Sequence, residues 1–226
     1  MKHCAIAIDG PSGAGKSTIS REMSRRLGIL HIDTGAIYRA IGLYFLEKGI
    51  ASDDEGRIIE HLGRIEPRMT FEEGAQRVFI GGRDVTDLIR TPEVSKYASD
   101  VSALGQVRAF LLEIQRDIAK NNSVIMDGRD IGTVVLPSAD LKIFLSAHPE
   151  VRARRRFEEL VQKGLDVDYE DILAATISRD YNDSNRANAP LKAAEDAVMI
   201  DTSGYSLERS LDMVEQIIRE RLEQCF

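Results

Sequence analysis

The sequence predicts an α/β fold built around a parallel sheet, and three observations point to it. Residues 4–8 form a short, continuously apolar run, the pattern of a strand buried on both faces, and similar short apolar runs recur at 29–32, 124–126, 141–145 and 197–200. Each run adjoins a stretch of helical patterning, as in repeated βαβ units. The first run leads directly into Gly10-Pro11-Ser12-Gly13-Ala14-Gly15-Lys16-Ser17, a glycine-rich turn in the strand–turn–helix context such a motif requires.

The elements follow in order. The first strand ends at Asp9, and the helix after the turn runs from Lys16 to about Leu27, where Gly28 stops it. The second strand, 29–32, is followed by a helix over 36–48. From about 65 to 94 the alternation of strand and helix breaks. Residues 68–71 and 77–80 alternate in polarity and are joined by Glu72-Glu73-Gly74-Ala75-Gln76, a hairpin loop within a small β-rich insertion. A helix over 106–120 precedes strands at 124–126 and 141–145. Helices follow over 149–163 and from 169 to about 183, then a strand at 197–200. The final helix, 206–223, carries Leu207, Leu211, Val214, Ile217, Ile218 and Leu222 on a helical spacing.

At 226 residues the chain is expected to form a single domain, 1–226, since domains commonly hold ~100 to 200 residues. With 43% hydrophobic and 30% charged residues it reads as an ordinary folded chain, which excludes disorder and collagen-like repeats. Thirty Lys and Arg against 37 Asp and Glu leave a net charge of −7, which provides no overall attraction for nucleic acid. Cys4 and Cys225 show neither CxxC nor Cys/His ligand spacing. Free thiols in a reducing, cytoplasmic compartment are expected. No apolar run approaches the ~20 residues of a membrane span, and no signal peptide is visible.

The turn at 10–17 fits G-x-x-x-x-G-K-[ST]. Its glycines allow backbone N–H groups to face inward around phosphate oxygens, and the following helix adds the positive end of its dipole. Lys16 would neutralise the β- and γ-phosphates, and Ser17 would offer its hydroxyl to Mg²⁺. The glycines do not make G-x-G-x-x-G, which disfavours a dinucleotide. No Asn-Lys-x-Asp is present, and no Asp-x-x-Gly follows the strand at 124–126, which disfavours a GTPase switch.

Carboxyl ends of parallel strands form the ligand crevice, so residues following the other strands should face the same opening. Asp33-Thr34 lies there, able both to cap the helix after it and to meet a ligand, and Arg39 follows one turn later. Asp127-Gly128-Arg129-Asp130 ends the third run. Asp127 would approach Mg²⁺ through water, and Arg129 would clamp an anion with its planar fork or pair with a neighbouring aspartate. Arg152, Arg155 and Arg156 share one helical face, either as a lid that brings cations to a transferring phosphoryl group or as a solvated face balanced by Glu158 and Glu159. Arg179, Asp183 and Arg186 form a polar stripe that would serve a ligand or a surface salt-bridge ladder. His3, His31, His61 and His148 show no metal or triad spacing and read as structural. A phosphate acceptor, largely a dianion at neutral pH, needs no histidine base.

The segments IDGPSGAGKST, IDTGAIYRA, VRAFLLEIQR, DGRDIGTVVLP, RDYNDSNRANAPL and AVMIDTSGYSLE, in this order, resemble the bacterial cytidylate kinases, a family of nucleoside monophosphate kinases. The resemblance implies a phosphate-loop (P-loop) three-layer αβα core with a five-stranded parallel sheet. It also implies a small β-rich NMP-binding insertion over about 65–98 and an arginine-bearing lid over about 149–168. It implies Mg²⁺-dependent phosphorylation of CMP and dCMP by ATP, with ATP on Gly10, Pro11, Ser12, Gly13, Ala14, Gly15, Lys16, Ser17 and Thr18. Arg39 and Arg129 would hold the CMP phosphate. Thr34, Arg108, Asp130 and Arg186 would lie near cytosine, and Ser99, Arg179 and Asp183 near the sugar. Lys16, Arg129, Arg152, Arg155 and Arg156 would act on the transferring group in a monomer that binds neither nucleic acid nor membrane. Relatives often carry Pro where this chain has Leu104-Gly105-Gln106, the entry to the helix of Arg108. A kinase for UMP, a sugar or an acid, and a regulatory ATPase, are the alternatives.

Overall fold

The computed structural model describes residues 3–72, 74–223 and 225. Glu73, assigned to the hairpin loop from the sequence, lies outside the described residues. Along the chain, β1 (Ala5–Asp9) leads to α1 (Lys16–Leu27), β2 (Leu30–Asp33) and α2 (Thr34–Glu47). Next come α3 (Glu55–Leu62), β3 (Pro67–Glu72), β4 (Ala75–Ile80), β5 (Arg83–Asp84) and α4 (Pro92–Val101). Then follow α5 (Gly105–Lys120), β6 (Val124–Gly128) and β7 (Leu141–Ser146). The chain closes with α6 (Pro149–Gln162), α7 (Tyr169–Asn185), β8 (Val198–Asp201) and α8 (Leu207–Arg221).

Five parallel strands pair in the order β2-β6-β1-β7-β8. Because β-strand side chains alternate, the central strand divides its residues between two cores. Ile6 and Ile8 face Ile19, Met23, Val214 and Ile218 of α1 and α8. Ala7 faces the other side, with Ile37, Ile41 and Leu111 of α2 and α5. Both faces of β1 are fully buried, which explains its unbroken apolar sequence. Each buried isoleucine contributes about 1.5 to 3 kcal/mol, so the strands that carry the site are also the most tightly held.

A separate antiparallel sheet, β3-β4-β5, packs against the α2 side of the molecule. Two helices in this region, α3 and α4, carry start signals that the strand reading passed over. Asp54 accepts from the Arg57 N–H at the start of α3, and Thr91 accepts from the Val94 N–H ahead of Pro92 in α4. Gly42 of α2 lies where a Cβ would stand 2.8 Å from the Ala98 backbone nitrogen, so the absence of a side chain lets α2 and α4 meet backbone to backbone.

The cysteines depart from the expectation of free thiols. Cys4 and Cys225, 221 positions apart in the sequence, are joined in a disulfide with their Cα atoms 6.2 Å apart. After α8, Leu222 and Cys225 pack on the core that contains Ile6, so the chain end returns to the start of β1. Spacing along the sequence carries no trace of that return. Among the described residues, no helix is long and apolar enough to cross a membrane.

Candidate active site

The sheet register assembles the site. Ile8 is opposite Asp127, Asp9 opposite Gly128, and Asp33 opposite Asp127, so three aspartates end neighbouring strands at one edge. Gly10 begins the turn with φ 148°, and a Cβ there would stand 1.9 Å from the Leu145 carbonyl oxygen of β7. Only glycine fits that approach. Gly13 and Gly15 have φ values of 78° and 95°, in the left-handed region that glycine enters without strain.

Lys16 is 6% exposed and donates to the Pro11 carbonyl at 2.8 Å. Burial and then the nearby Arg129 push its ammonium down to about 7, so nucleotide phosphates would restore a charge that the free site disfavours. Ser17 Oγ donates to Asp127 Oδ2 at 2.7 Å, and Asp127 Oδ1 lies 2.6 Å from His31 Nε2. Thr34 Oγ donates to the Asp127 carbonyl at 2.8 Å. Ser12 is half-buried and Thr18 exposed.

Other cations of the site are held by carboxylates. Asp33 caps α2 through the Ala36 N–H and accepts from Arg39 at 2.7 Å, so it performs both roles read from the sequence. Burial would raise its carboxyl, but Arg39 holds it below the usual range. Arg129 donates through Nε to Asp183 Oδ2 at 2.8 Å. Arg108 meets Asp130 at 2.5 Å, donates to the Ser102 carbonyl and lies 5.3 Å from the centre of the Tyr38 ring. The Leu104-Gly105-Gln106 entry therefore still delivers Arg108 into a buried pair. Arg186 approaches Asp130 at 3.8 Å and Asp183 at 4.0 Å. Ser99 lies on α4, half-buried, and its carbonyl accepts from Ser102.

Arg179 is the least compensated member. Its Nε is buried without a hydrogen-bond partner. Burial, then Arg129 and more distantly Arg39, push it down to about 10. Cations held this close favour an anionic ligand between them.

Arg152, Arg155 and Arg156 do not form one cationic face. Arg152 is 3% exposed, donates to the carbonyls of Ala147 and Ser12, and pairs with Asp180 through both of its terminal nitrogens. Arg155 donates to the Thr202 carbonyl at 2.9 Å, and Arg156 pairs with Glu159 at 2.7 Å. Arg154, beside them, lies 4.3 Å from the centre of the Tyr169 ring. Helical spacing shows that side chains share a face but not what packs on it. Here α7 and the loop after β8 take up the inner two arginines.

Sequence reading also passed over Asp9, His31, Tyr38 and Asp180. Asp9 Oδ1 and Oδ2 each accept at 2.7 Å, from the N–H groups of Ile131 and Gly132. These open a single π-helical turn, Ile131–Val135. Burial pushes the Asp9 carboxyl up to about 6 despite those bonds. Its position immediately before the phosphate turn was the one available signal.

The oxygen donors suit a magnesium ion carried by a nucleotide. Ser17 and Asp127 present a hydroxyl and a carboxylate beside the phosphate turn. Among the described residues, no group of three or more His, Cys, Asp and Glu could hold a metal unaided. Magnesium that remains bound to phosphates and water needs only one or two protein oxygens.

A parallel sheet ending in a glycine-rich anion cradle, faced by a buried cluster of arginines, defines a phosphoryl-transfer enzyme of the phosphate-loop kinase class. Comparison with known proteins narrows the class. A family model described as cytidylate kinase matches residues 6–221. The chain is 54% identical over 214 residues to a cytidylate kinase of Caldicellulosiruptor bescii, covering 95% of each chain. It is 49% identical over 216 residues to one of Geobacter sulfurreducens, covering 96% of this chain and 93% of that one. Among solved structures, an uncharacterised protein from Eubacterium ventriosum shares the fold, with a TM-score of 0.52 and 11% identity over 97% of this chain and all of that one. The chain belongs to the cytidylate kinase family.

Proposed function

We propose that the chain transfers the γ-phosphoryl group of ATP to CMP, and to dCMP, giving ADP and the corresponding diphosphate. The observation that carries this reading is the crowding of Arg129 and Arg39 around a poorly compensated Arg179, close to the buried Lys16. One wall suits a donor triphosphate and the other an acceptor phosphate. Thr34 of α2, Ser99 of α4, Arg108 of α5, Asp130 after β6, and Asp183 and Arg186 at the end of α7 would then surround the acceptor nucleoside, beside the NMP-binding insertion (about 65–98).

An oxygen of the acceptor phosphate forms a bond to the γ-phosphorus as the bond to the β,γ-bridging oxygen breaks, and ADP leaves with that electron pair. The acceptor arrives largely as a dianion, its second pKa being ~6, so no protein base is required. Lys16 and the backbone of residues 10–18 hold the donor phosphates, while Arg129 and Arg39 hold the acceptor phosphate in line. Magnesium, when bound beside Ser17 and Asp127, supplies charge neutralisation on the β- and γ-phosphates. The segment at about 149–168 would close over the site and exclude water, which otherwise competes as acceptor. Arg156, whose pair with Glu159 is exposed, is the least braced of the proposed lid cations. We also assign the enzyme to the cytoplasm, where ATP and CMP are found, and read it as a monomer because one chain contributes both walls.

The test is ADP release from ATP with and without Mg²⁺, first with no acceptor and then with CMP, dCMP, UMP, AMP, GMP, shikimate and gluconate. Strong Mg²⁺-dependent turnover with CMP and dCMP and almost none without acceptor is the expected result. Turnover indifferent to the acceptor would instead identify a regulatory ATPase.

A further inference from the structure

We propose that His31 is a positioning residue for the cation end of the phosphate site, orienting the Asp127 carboxylate toward Ser17. The two oxygens of Asp127 are divided between two side chains, Oδ2 accepting from Ser17 Oγ at 2.7 Å and Oδ1 facing His31 Nε2 at 2.6 Å. An ionised carboxylate only accepts hydrogen bonds, so the proton of the second contact belongs to Nε2, and the ring is held as that tautomer.

The geometry follows from strand pairing. His31 of β2 is opposite Ile125 of β6, so Asp127 is its diagonal neighbour on the same face, within reach of a long side chain. Both residues are buried, at 7% and 3% exposure. The terminal torsion of an aspartate is broad, and Ser17 alone would leave the carboxylate free to rock. His31 supplies the second anchor, and its contact is charge-assisted. Outer partners of this kind commonly change metal affinity by about 10- to 100-fold. Along the sequence His31 has no partner at metal or triad spacing, because its partner is on a strand 96 residues away.

The inference rests on the reading that Ser17 and Asp127 serve a magnesium nucleotide. It is tested by calorimetric titration of ADP, with Mg²⁺ and then with EDTA, into the wild-type protein, His31→Leu and His31→Gln. The quantity compared is the gain in ADP affinity on adding Mg²⁺. His31→Leu removes the donor and should lose about tenfold of that gain, with affinity in EDTA unchanged. His31→Gln places an amide N–H at the same number of bonds from Cα and should retain the gain within about threefold. Equal gains in all three proteins would overturn the proposal. No gain in the wild-type protein would remove the underlying magnesium reading, a distinguishable failure that takes the proposal with it. Should His31→Leu fail to fold, imidazole ¹⁵N spectra of the wild-type protein decide. The His31 Nε2–H resonance should move when Mg²⁺ joins the ADP complex, and a resonance that stays in place overturns the assignment.

Discussion

Arg152 grips Asp180 across two helices. NH1 lies 3.0 Å from Oδ1, NH2 contacts Oδ2, and NH1 also donates to the Ser12 carbonyl at 2.9 Å. One buried guanidinium thus ties α6 and α7 to the phosphate turn. The segment proposed as the lid is therefore fastened to the phosphate turn at one point.

The fastening has a measurable stability. Arg152→Ala leaves the half-buried Asp180 without its partner and removes the bonds to the Ala147 and Ser12 carbonyls, a loss of about 2 kcal/mol. Arg156→Ala should change stability by less than about 1 kcal/mol, because its pair with Glu159 is exposed. Urea unfolding of the two variants separates a structural brace from a free arm. Similar losses in both would show that the Arg152 pair does not hold these elements together.

In the proposed reaction Arg129 is the cation that holds the acceptor phosphate, and Asp183 pairs with it at 2.8 Å. A charge-assisted hydrogen bond is worth about 1.5 to 3 kcal/mol, so Arg129→Ala should reduce CMP turnover by about tenfold or more. Arg129→Lys should recover little of it, since an ammonium does not reproduce the fork that meets Asp183 and a phosphate together. Steady-state ADP release against CMP concentration is the check. An unchanged rate would remove Arg129 from the site.

Asp9 carries a pH signature. Burial pushes its native carboxyl up to about 6, whereas in the unfolded chain it releases its proton near the ordinary value of 3.8. Between these values the native state binds more protons, so the stability contributed by this group falls as pH rises from about 4 to 6. Above pH 6 the contribution is flat. Asp9→Asn removes the titration, so the difference in melting temperature, variant minus wild type, should move in the variant's favour across that window and level off beyond it. Parallel curves would show that Asp9 titrates as an ordinary carboxyl.

The disulfide closes almost the whole chain into a ring. Cross-links over long loops restrict the unfolded state, and a typical contribution is about 2 to 4 kcal/mol. Reduction with dithiothreitol should lower the wild-type melting temperature, and Cys225→Ser should melt at the reduced value with or without reductant. Intact mass, two hydrogens lighter in the oxidised protein, confirms which form is present. Identical melting in both forms would show that the bond adds nothing to stability.

Much of the site was legible because its chemistry is local. Lys16 follows the glycine turn, Asp33 caps the helix it precedes, and Arg129 and Asp130 end a strand, so each is placed by a few neighbouring residues. What escaped reading depends on distant partners. The π-helical turn after Asp130 begins on the carboxylate of Asp9, 122 residues away, and His31 finds Asp127 only through strand pairing. The helices α3 and α4 were missed for another reason. Their caps are ordinary, but they flank the alternating residues at 68–80, on stretches that the sequence reading leaves mostly unassigned.

The sequence by itself determined the strand–turn–helix of the phosphate cradle, the parallel α/β architecture and the set of cationic residues available to it. Those features are written in apolar periodicity, glycine placement and helix spacing, which act over one or two turns of chain. Only the tertiary structure decided which cations are braced and which are free to move, which aspartates hold them, and that the two cysteines meet. Those outcomes depend on the contacts made when α7, the loop after β8 and the end of α8 fold back on the sheet. Burial then removes water as the competing partner, and the nearest opposite charge or thiol decides the role of each side chain.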